Sequence, residues 1–162
     1  GKIKEAKKYL SEIQAIRKKG LRENYFKRIE YLQVWELEIQ TAIKLFKKEY
    51  KAAKIFAKQA VALEEKLPAP SGPPRILKPS YELLGEVYLK AGKPIQAYEK
   101  FSISLLRHPN RIRSLMGAAR AADAKGDRKT ALENYQQVIN QLKYASSELP
   151  ELKEATKFLS GK

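Results

Sequence analysis

The chain has 162 residues, 43 % hydrophobic and 31 % charged, enough for one domain with its own core or a short run of small repeats. It contains no cysteine, which excludes disulfides, thiolate metal sites, iron–sulfur clusters and cysteine nucleophiles. Its 33 Lys and Arg stand against 18 Asp and Glu, a net charge of +15, and its single histidine, His108, removes His-pair metal sites. The basic excess is shared: residues 1–66 carry 17 basic and 9 acidic side chains, and residues 67–162 carry 16 and 9, so no basic tail stands out. It reads as a lysine-rich solvated helical surface with some attraction for polyanions. No apolar run approaches the roughly 20 residues that span a bilayer. No signal peptide is visible, and the chain opens with Gly1 rather than Met, which points to a start further upstream.

Helical periodicity dominates from end to end. A first helix is expected over residues 1–20, closing at Lys19-Gly20. Tyr25, Ile29, Leu32, Trp35, Ile39, Ile43 and Phe46 then recur at three- and four-residue steps, which predicts a long helix over residues 22–46. A second helix follows to Lys66. Residues 68–78 and the adjoining Pro79 hold five of the eight prolines, and Pro73-Pro74 forbids a helix there. The segment reads as a stiff extended connector, with a domain boundary as the alternative. Beyond it, Tyr81, Leu84, Tyr88 and Ala91 form one helical stripe. Later breaks fall at Ala91-Gly92-Lys93-Pro94, His108-Pro109-Asn110, Lys125-Gly126-Asp127 and Leu149-Pro150. Gly92 and Gly126 suit the left-handed residue that closes a helix, and Pro94 and Pro150 suit the first turn of the next. Such short connections make antiparallel helix pairs. No segment alternates in the manner of a strand.

The chain also repeats itself. A shift of 34 residues sets Tyr81 on Leu115, Leu84 on Ala118, Gly85 on Ala119, Tyr88 on Ala122, Gly92 on Gly126, Ala97 on Ala131 and Phe101 on Tyr135. Small residues at Gly85/Ala119 and Ala97/Ala131 let paired helices approach closely, with large rings filling the space beside them. Tyr81, Leu84, Gly85, Tyr88, Ala97, Phe101 and Pro109 have the spacing of a tetratricopeptide repeat, a family that this chain resembles over residues 79–143. The second copy is looser, with Ala119, Ala122 and Lys143 replacing the family's glycine, tyrosine and proline. The second-helix signature reads Gly92-Ala97-Phe101 and Gly126-Ala131-Tyr135, and is met again as Gly1-Ala6-Leu10 and, with lysine for glycine, as Lys47-Ala52-Phe56.

The resemblance implies an all-α, right-handed superhelix of antiparallel helix pairs, an α-solenoid of about seven or eight helices. Its parts would be a half repeat over residues 1–20, a degenerate repeat over 22–67, the connector over 68–78, repeats over 79–111 and 112–145, and a capping helix over 149–160. Leu152, Ala155 and Leu159 share one face of that last helix, as a cap requires. On this reading the chain is the C-terminal piece of a longer array.

Catalytic patterns are few. His108 lies in a turn beside Pro109, where it reads as a general base or a turn histidine. Glu64-Glu65 and Glu82/Glu86 offer carboxylate pairs for acid–base work or simply solvated charges. The serine-nucleophile elbow, the P-loop and the dinucleotide-binding glycine pattern are all absent. No enzyme, cofactor or metal is expected.

The family's groove is lined mainly by the first helix of each pair, which implies a partner-binding surface at Glu82, Glu86, Leu89, Lys90, Arg113, Met116, Arg120 and Asp123. Arg113 and Arg120 either hold a partner's carboxylate bidentately or pair with Glu82, Glu86 or Asp123. The family's Lys/Asn/Arg clamp on chaperone C-termini is not matched, because Glu82 and Glu86 stand where cationic and amide groups are wanted. The expected function is a non-catalytic protein–protein interaction scaffold holding a peptide or partner helix. The alternative is nucleic-acid or other polyanion binding through the lysine-rich surface, which predicts a steep loss with salt. A lean toward an exported bacterial protein rests only on the general look of proline-linked tetratricopeptide arrays, and a cytoplasmic location stays open.

Overall fold

The computed structural model describes residues 2–22, 29–68, 76 and 78–161. Among these residues all regular structure is helical: α1 (Lys2–Arg22), α2 (Ile29–Phe46), α3 (Tyr50–Glu64), α4 (Ser80–Lys90), α5 (Pro94–Arg107), α6 (Ile112–Ala124), α7 (Arg128–Gln141) and α8 (Pro150–Leu159). Consecutive helices pack on each other, α1 on α2, α2 on α3, α5 on α6, α6 on α7 and α7 on α8. This is the all-α arrangement of packed neighbouring helices that the periodicity predicts. The chain divides into two compact units, residues 1–87 and residues 88–162.

One turn is built three times. Gly92 is left-handed (φ 69°); its N–H donates to Leu89 O (3.1 Å), and the N–H of Lys93 donates to Tyr88 O (2.9 Å). Gly126 (φ 85°) repeats the pattern, with Gly126 N–H to Asp123 O and Asp127 N–H to Ala122 O, both 2.9 Å. Lys48 (φ 59°) repeats it again, with Lys48 N–H to Leu45 O at 3.0 Å and Glu49 N–H to Lys44 O at 2.9 Å. Each turn satisfies carbonyls that the end of a helix leaves without partners. Five residues beyond each left-handed residue stands an alanine with no exposed surface: Ala53, Ala97 and Ala131. Four further on are Ala57, Phe101 and Tyr135, also buried.

This corrects the expected register of the degenerate copy by one residue. The signature is Lys48-Ala53-Ala57 rather than Lys47-Ala52-Phe56, and Ala52 and Phe56 are only half-buried. A second correction concerns Gly20, which does not end the first helix; α1 runs on to Arg22. The long helix expected over residues 22–46 is seen from Ile29, with residues 23–28 outside the described set. Most of the proline-rich connector, residues 69–75 and 77, also lies outside it.

In the first unit, Val34, Thr41 and Ile43 of α2 are buried with Ala53, Ala57, Ala60 and Val61 of α3, and Leu83, Leu84 and Val87 of α4 are buried as well. Arg17 of α1 pairs through its guanidinium with the carboxylate of Glu36 on α2, which is buried. The ends of the connector are tied down by polar contacts. The backbone N–H of Ser80, orphaned at the start of α4, donates to Glu64 Oε2 (2.6 Å) on α3, and the Tyr81 hydroxyl donates to Glu65 (2.6 Å).

In the second unit, Ala97, Phe101, Ala118 and Ala121 form one buried cluster, and Leu115, Met116, Ala119, Tyr135, Val138 and Ala155 form another. A buried hydroxyl pair, Ser104 and Ser114 (3.0 Å), joins α5 to α6. Pro94 and Pro150 occupy the first turns of α5 and α8, as their fixed φ favours. At Gly117 the helices approach so closely that an added Cβ would lie 2.3 Å from the Phe101 ring.

Two stability predictions follow from these contacts. Lys48→Gly removes the strain of a left-handed lysine and should raise stability by about 1 kcal/mol, read as a higher urea midpoint. Gly117→Ala improves helix propensity yet drives a methyl into the Phe101 ring, itself locked by packing. It should cost roughly 1–3 kcal/mol by the same measurement.

Candidate functional site

Helix α6 has small and apolar residues on nearly every side: Leu115, Met116, Ala118, Ala119, Ala121 and Ala122 are all buried. With α5 and α7 packed against it, the helix shows solvent one narrow polar strip. Arg113, Arg120 and Asp123 are exposed along that strip at seven- and three-residue steps. Three of the four residues nominated on α6 therefore share one outward face. Met116, the fourth, is 1 % exposed and belongs to the core cluster with Tyr135 and Val138.

Arg120 is engaged within the chain. Its Nε and Nη2 donate to the two carboxylate oxygens of Glu154 on α8, each at 2.6 Å, and the Tyr135 hydroxyl on α7 donates to Glu154 Oε1 at 2.9 Å. Neither Glu82, Glu86 nor Asp123 is the carboxylate in this fork. The Arg120 guanidinium holds the Glu154 carboxyl below its usual pKa, and Glu154 in turn raises that of Arg120. Burial, then the hydrogen bond to Glu154, pushes the Tyr135 phenol up. The result is a pin from α6 and α7 into the final helix, whose Phe158 ring stacks obliquely on Tyr135 at 4.6 Å.

The α4 nominees divide between the two units. Glu82 and Glu86 belong to the first, and Glu82 is fully buried. Glu86 receives both its hydrogen bonds from Lys78 Nζ, at 2.8 and 2.7 Å. Leu89 and Lys90 belong to the second, where Leu89 is half-buried against the Phe101 cluster and Lys90 is exposed. His108 caps the end of α5, its N–H donating to Ser104 O at 2.8 Å.

One chemically unusual residue escaped sequence reasoning. Glu38 on α2 has a buried Oε1 without a hydrogen-bond partner. Its pKa is pushed up to about 8, first by burial and then by the neighbouring Glu64 carboxylate, with Lys78 opposing. At neutral pH Glu38 is thus mainly protonated. Its signal in the sequence was slight: an acidic residue one step before Ile39, within a stripe of apolar spacing. Among the described residues no group of three or more His, Asp or Glu side chains is arranged to hold a metal ion. No described helix is long and apolar enough to cross a membrane. Comparison with protein-family models and with curated protein sequences returned no match.

The raised pKa of Glu38 has a defined consequence for stability. The folded state holds this proton up to about pH 8, whereas the unfolded chain releases it near 4.5. Unfolding between those values releases a proton, so this contribution is complete below pH 4.5 and is lost as pH rises through 8. The slope reaches at most about 1.4 kcal/mol per pH unit. Denaturant titrations from pH 5 to 9 should show this decline in the native chain and not in Glu38→Gln, which stays uncharged throughout.

Proposed function

We propose that the chain is a tetratricopeptide-like interaction module, non-catalytic, that holds a segment of another protein on the exposed strip of α6. The observation that carries this reading is the enclosure of α6, the first helix of its pair. Its sides are taken up by α5 and α7, and its remaining face is polar and open. The thrice-built turn supports it, because a repeating helix pair is the architecture that presents such strips in series.

Within the strip, Arg113 is the guanidinium available for a bidentate grip on a partner's carboxylate. Asp123 sets the opposite charge ten residues along the same helix, about 15 Å away at the α-helical rise. That separation selects a segment with an acidic and a basic side chain spaced to match. Arg120 works indirectly by fixing Glu154 and the last helix, and Met116 supports the strip from beneath. Lys90 adds exposed positive charge at the end of α4.

The test is selection of displayed peptides, and capture from a lysate of the source cells, on the immobilised chain after nuclease treatment. Retention after nuclease treatment at moderate salt, with at least a tenfold loss of affinity on Arg113→Glu, Asp123→Lys or both, is the expected result. Binding that is indifferent to both substitutions, or that disappears with nuclease, would overturn the proposal.

A further inference from the structure

Helix α1 carries eight basic and two acidic residues in 21 positions, and none of its residues is buried. Its inward side is defined by Ile3, Ala6, Leu10, Ile13 and Arg17, half-buried at three- and four-residue steps, with Arg17 joined to Glu36 of α2. The opposite side is occupied by Lys4, Lys7, Lys8, Lys18, Lys19 and Arg22, all exposed. At the turn of an α-helix these six fall within an arc of about 120° and span about 27 Å. No carboxylate lies inside that arc. Glu5 and Glu12 flank it on the side of Tyr9 and Ile16, Glu12 lying 3.8 Å from Lys8 and Glu5 accepting from the Tyr9 hydroxyl.

We infer that this outer face of α1 is a docking surface for the phosphate backbone of double-stranded DNA, bound without sequence preference. The six cations form two clusters, Lys4/Lys7/Lys8 and Lys18/Lys19/Arg22, with centres about 20 Å apart along the axis. Exposed Ser11 and Ala15 lie between them, small enough for the middle of the helix to approach a groove edge. That separation lets flexible lysines reach the phosphate rows on both sides of a major groove about 12 Å wide. Point charges contact phosphates and read no bases.

Other polyanions fit this face less well. An interfacial membrane helix needs its apolar side in the lipid, and that side of α1 is packed on α2. Single strands call for aromatic stacking, and the arc holds no ring. A protein segment carrying charges of both signs finds only one sign to match in the arc. The deep, narrow major groove of double-stranded RNA does not admit the helix.

Fluorescence anisotropy with labelled 20-base-pair DNA duplexes of two unrelated sequences tests the inference. Equal affinity for both is expected, falling by at least about a hundredfold between 50 and 200 mM salt for phosphate contacts from Lys4, Lys7, Lys18 and Arg22. Charge reversal at Lys4, Lys7, Lys18 and Arg22 together should abolish binding, and the Lys/Arg→Gln version should lower the salt slope by about 3.6. A control with the same net charge, reversed at Lys93, Lys129, Lys143 and Lys157, should keep at least a third of the affinity. Far-UV circular dichroism verifies that each variant is folded. Equal loss in the control, unchanged binding by the α1 variants, equal affinity for an RNA duplex, or preference for anionic phosphatidylserine vesicles would overturn the inference. Because Arg113 and Asp123 are untouched in these variants, the peptide-binding reading stands or falls separately.

Discussion

A helix pair of this protein closes only where one helix lets another come near, and that requirement fixes most of the structure. The device is local: a left-handed residue ends one helix, and five positions later an alanine is sealed in the interface. The two are linked by geometry. Once the turn sets the direction of the second helix, its first inward position is decided, and anything larger than a methyl would hold the pair apart. Phe101 and Tyr135 fill the volume one turn further along, while at the equivalent position Ala57 serves a pair with other packing needs. Gly117 extends the same constraint to the facing helix, where the Phe101 ring leaves no room even for a methyl.

The legibility of the fold followed the chemistry of these positions. Gly92 and Gly126 announce a left-handed turn because glycine is the residue that adopts it freely, and Pro94 and Pro150 mark helix starts because their φ is fixed. Lys48 announces nothing. Two lysines stand side by side there, and Phe56, a large residue four beyond Ala52, draws the signature to Lys47, one residue short of the left-handed Lys48. Gly20 misled in the opposite direction: a glycine inside a helix costs about 1 kcal/mol against alanine and does not by itself end it. The 34-residue shift survived both errors because it rests on many buried positions together.

The candidate site was only partly legible, for a different reason. Helical spacing tells which residues share a face, and Arg113, Arg120 and Asp123 do share one. It does not tell how far the buried arc reaches round the helix, and α6 is covered so widely that Met116 falls inside. Nor does it reveal long-range partners. The carboxylate that takes up Arg120 lies 34 residues away on the last helix, and that which caps Ser80 lies across the connector. Glu38 is the extreme case, since its unusual proton affinity comes from burial and from Glu64, neither of which its sequence neighbours record.

These pairings change the meaning of the net charge of +15. A cation already forked to a carboxylate, as Arg120 is to Glu154 or Lys78 to Glu86, contributes little field beyond a few ångströms, because the pair is nearly a dipole. Six cations on one helical arc, against two flanking carboxylates of which one lies 3.8 Å from Lys8, keep a net positive field whose reach is limited by screening. Composition counts both kinds equally. The distribution of pairs, rather than the total, therefore decides where a polyanion would be held, and on that criterion α1, with eight cations, differs from α6, with two arginines and one aspartate. On α6 the surface charge is mixed in sign and bounded by a fixed fork, which suits selection of a particular sequence of side chains. On α1 it is uniform and repeated along the axis, which suits a partner whose own charge is uniform and repeated.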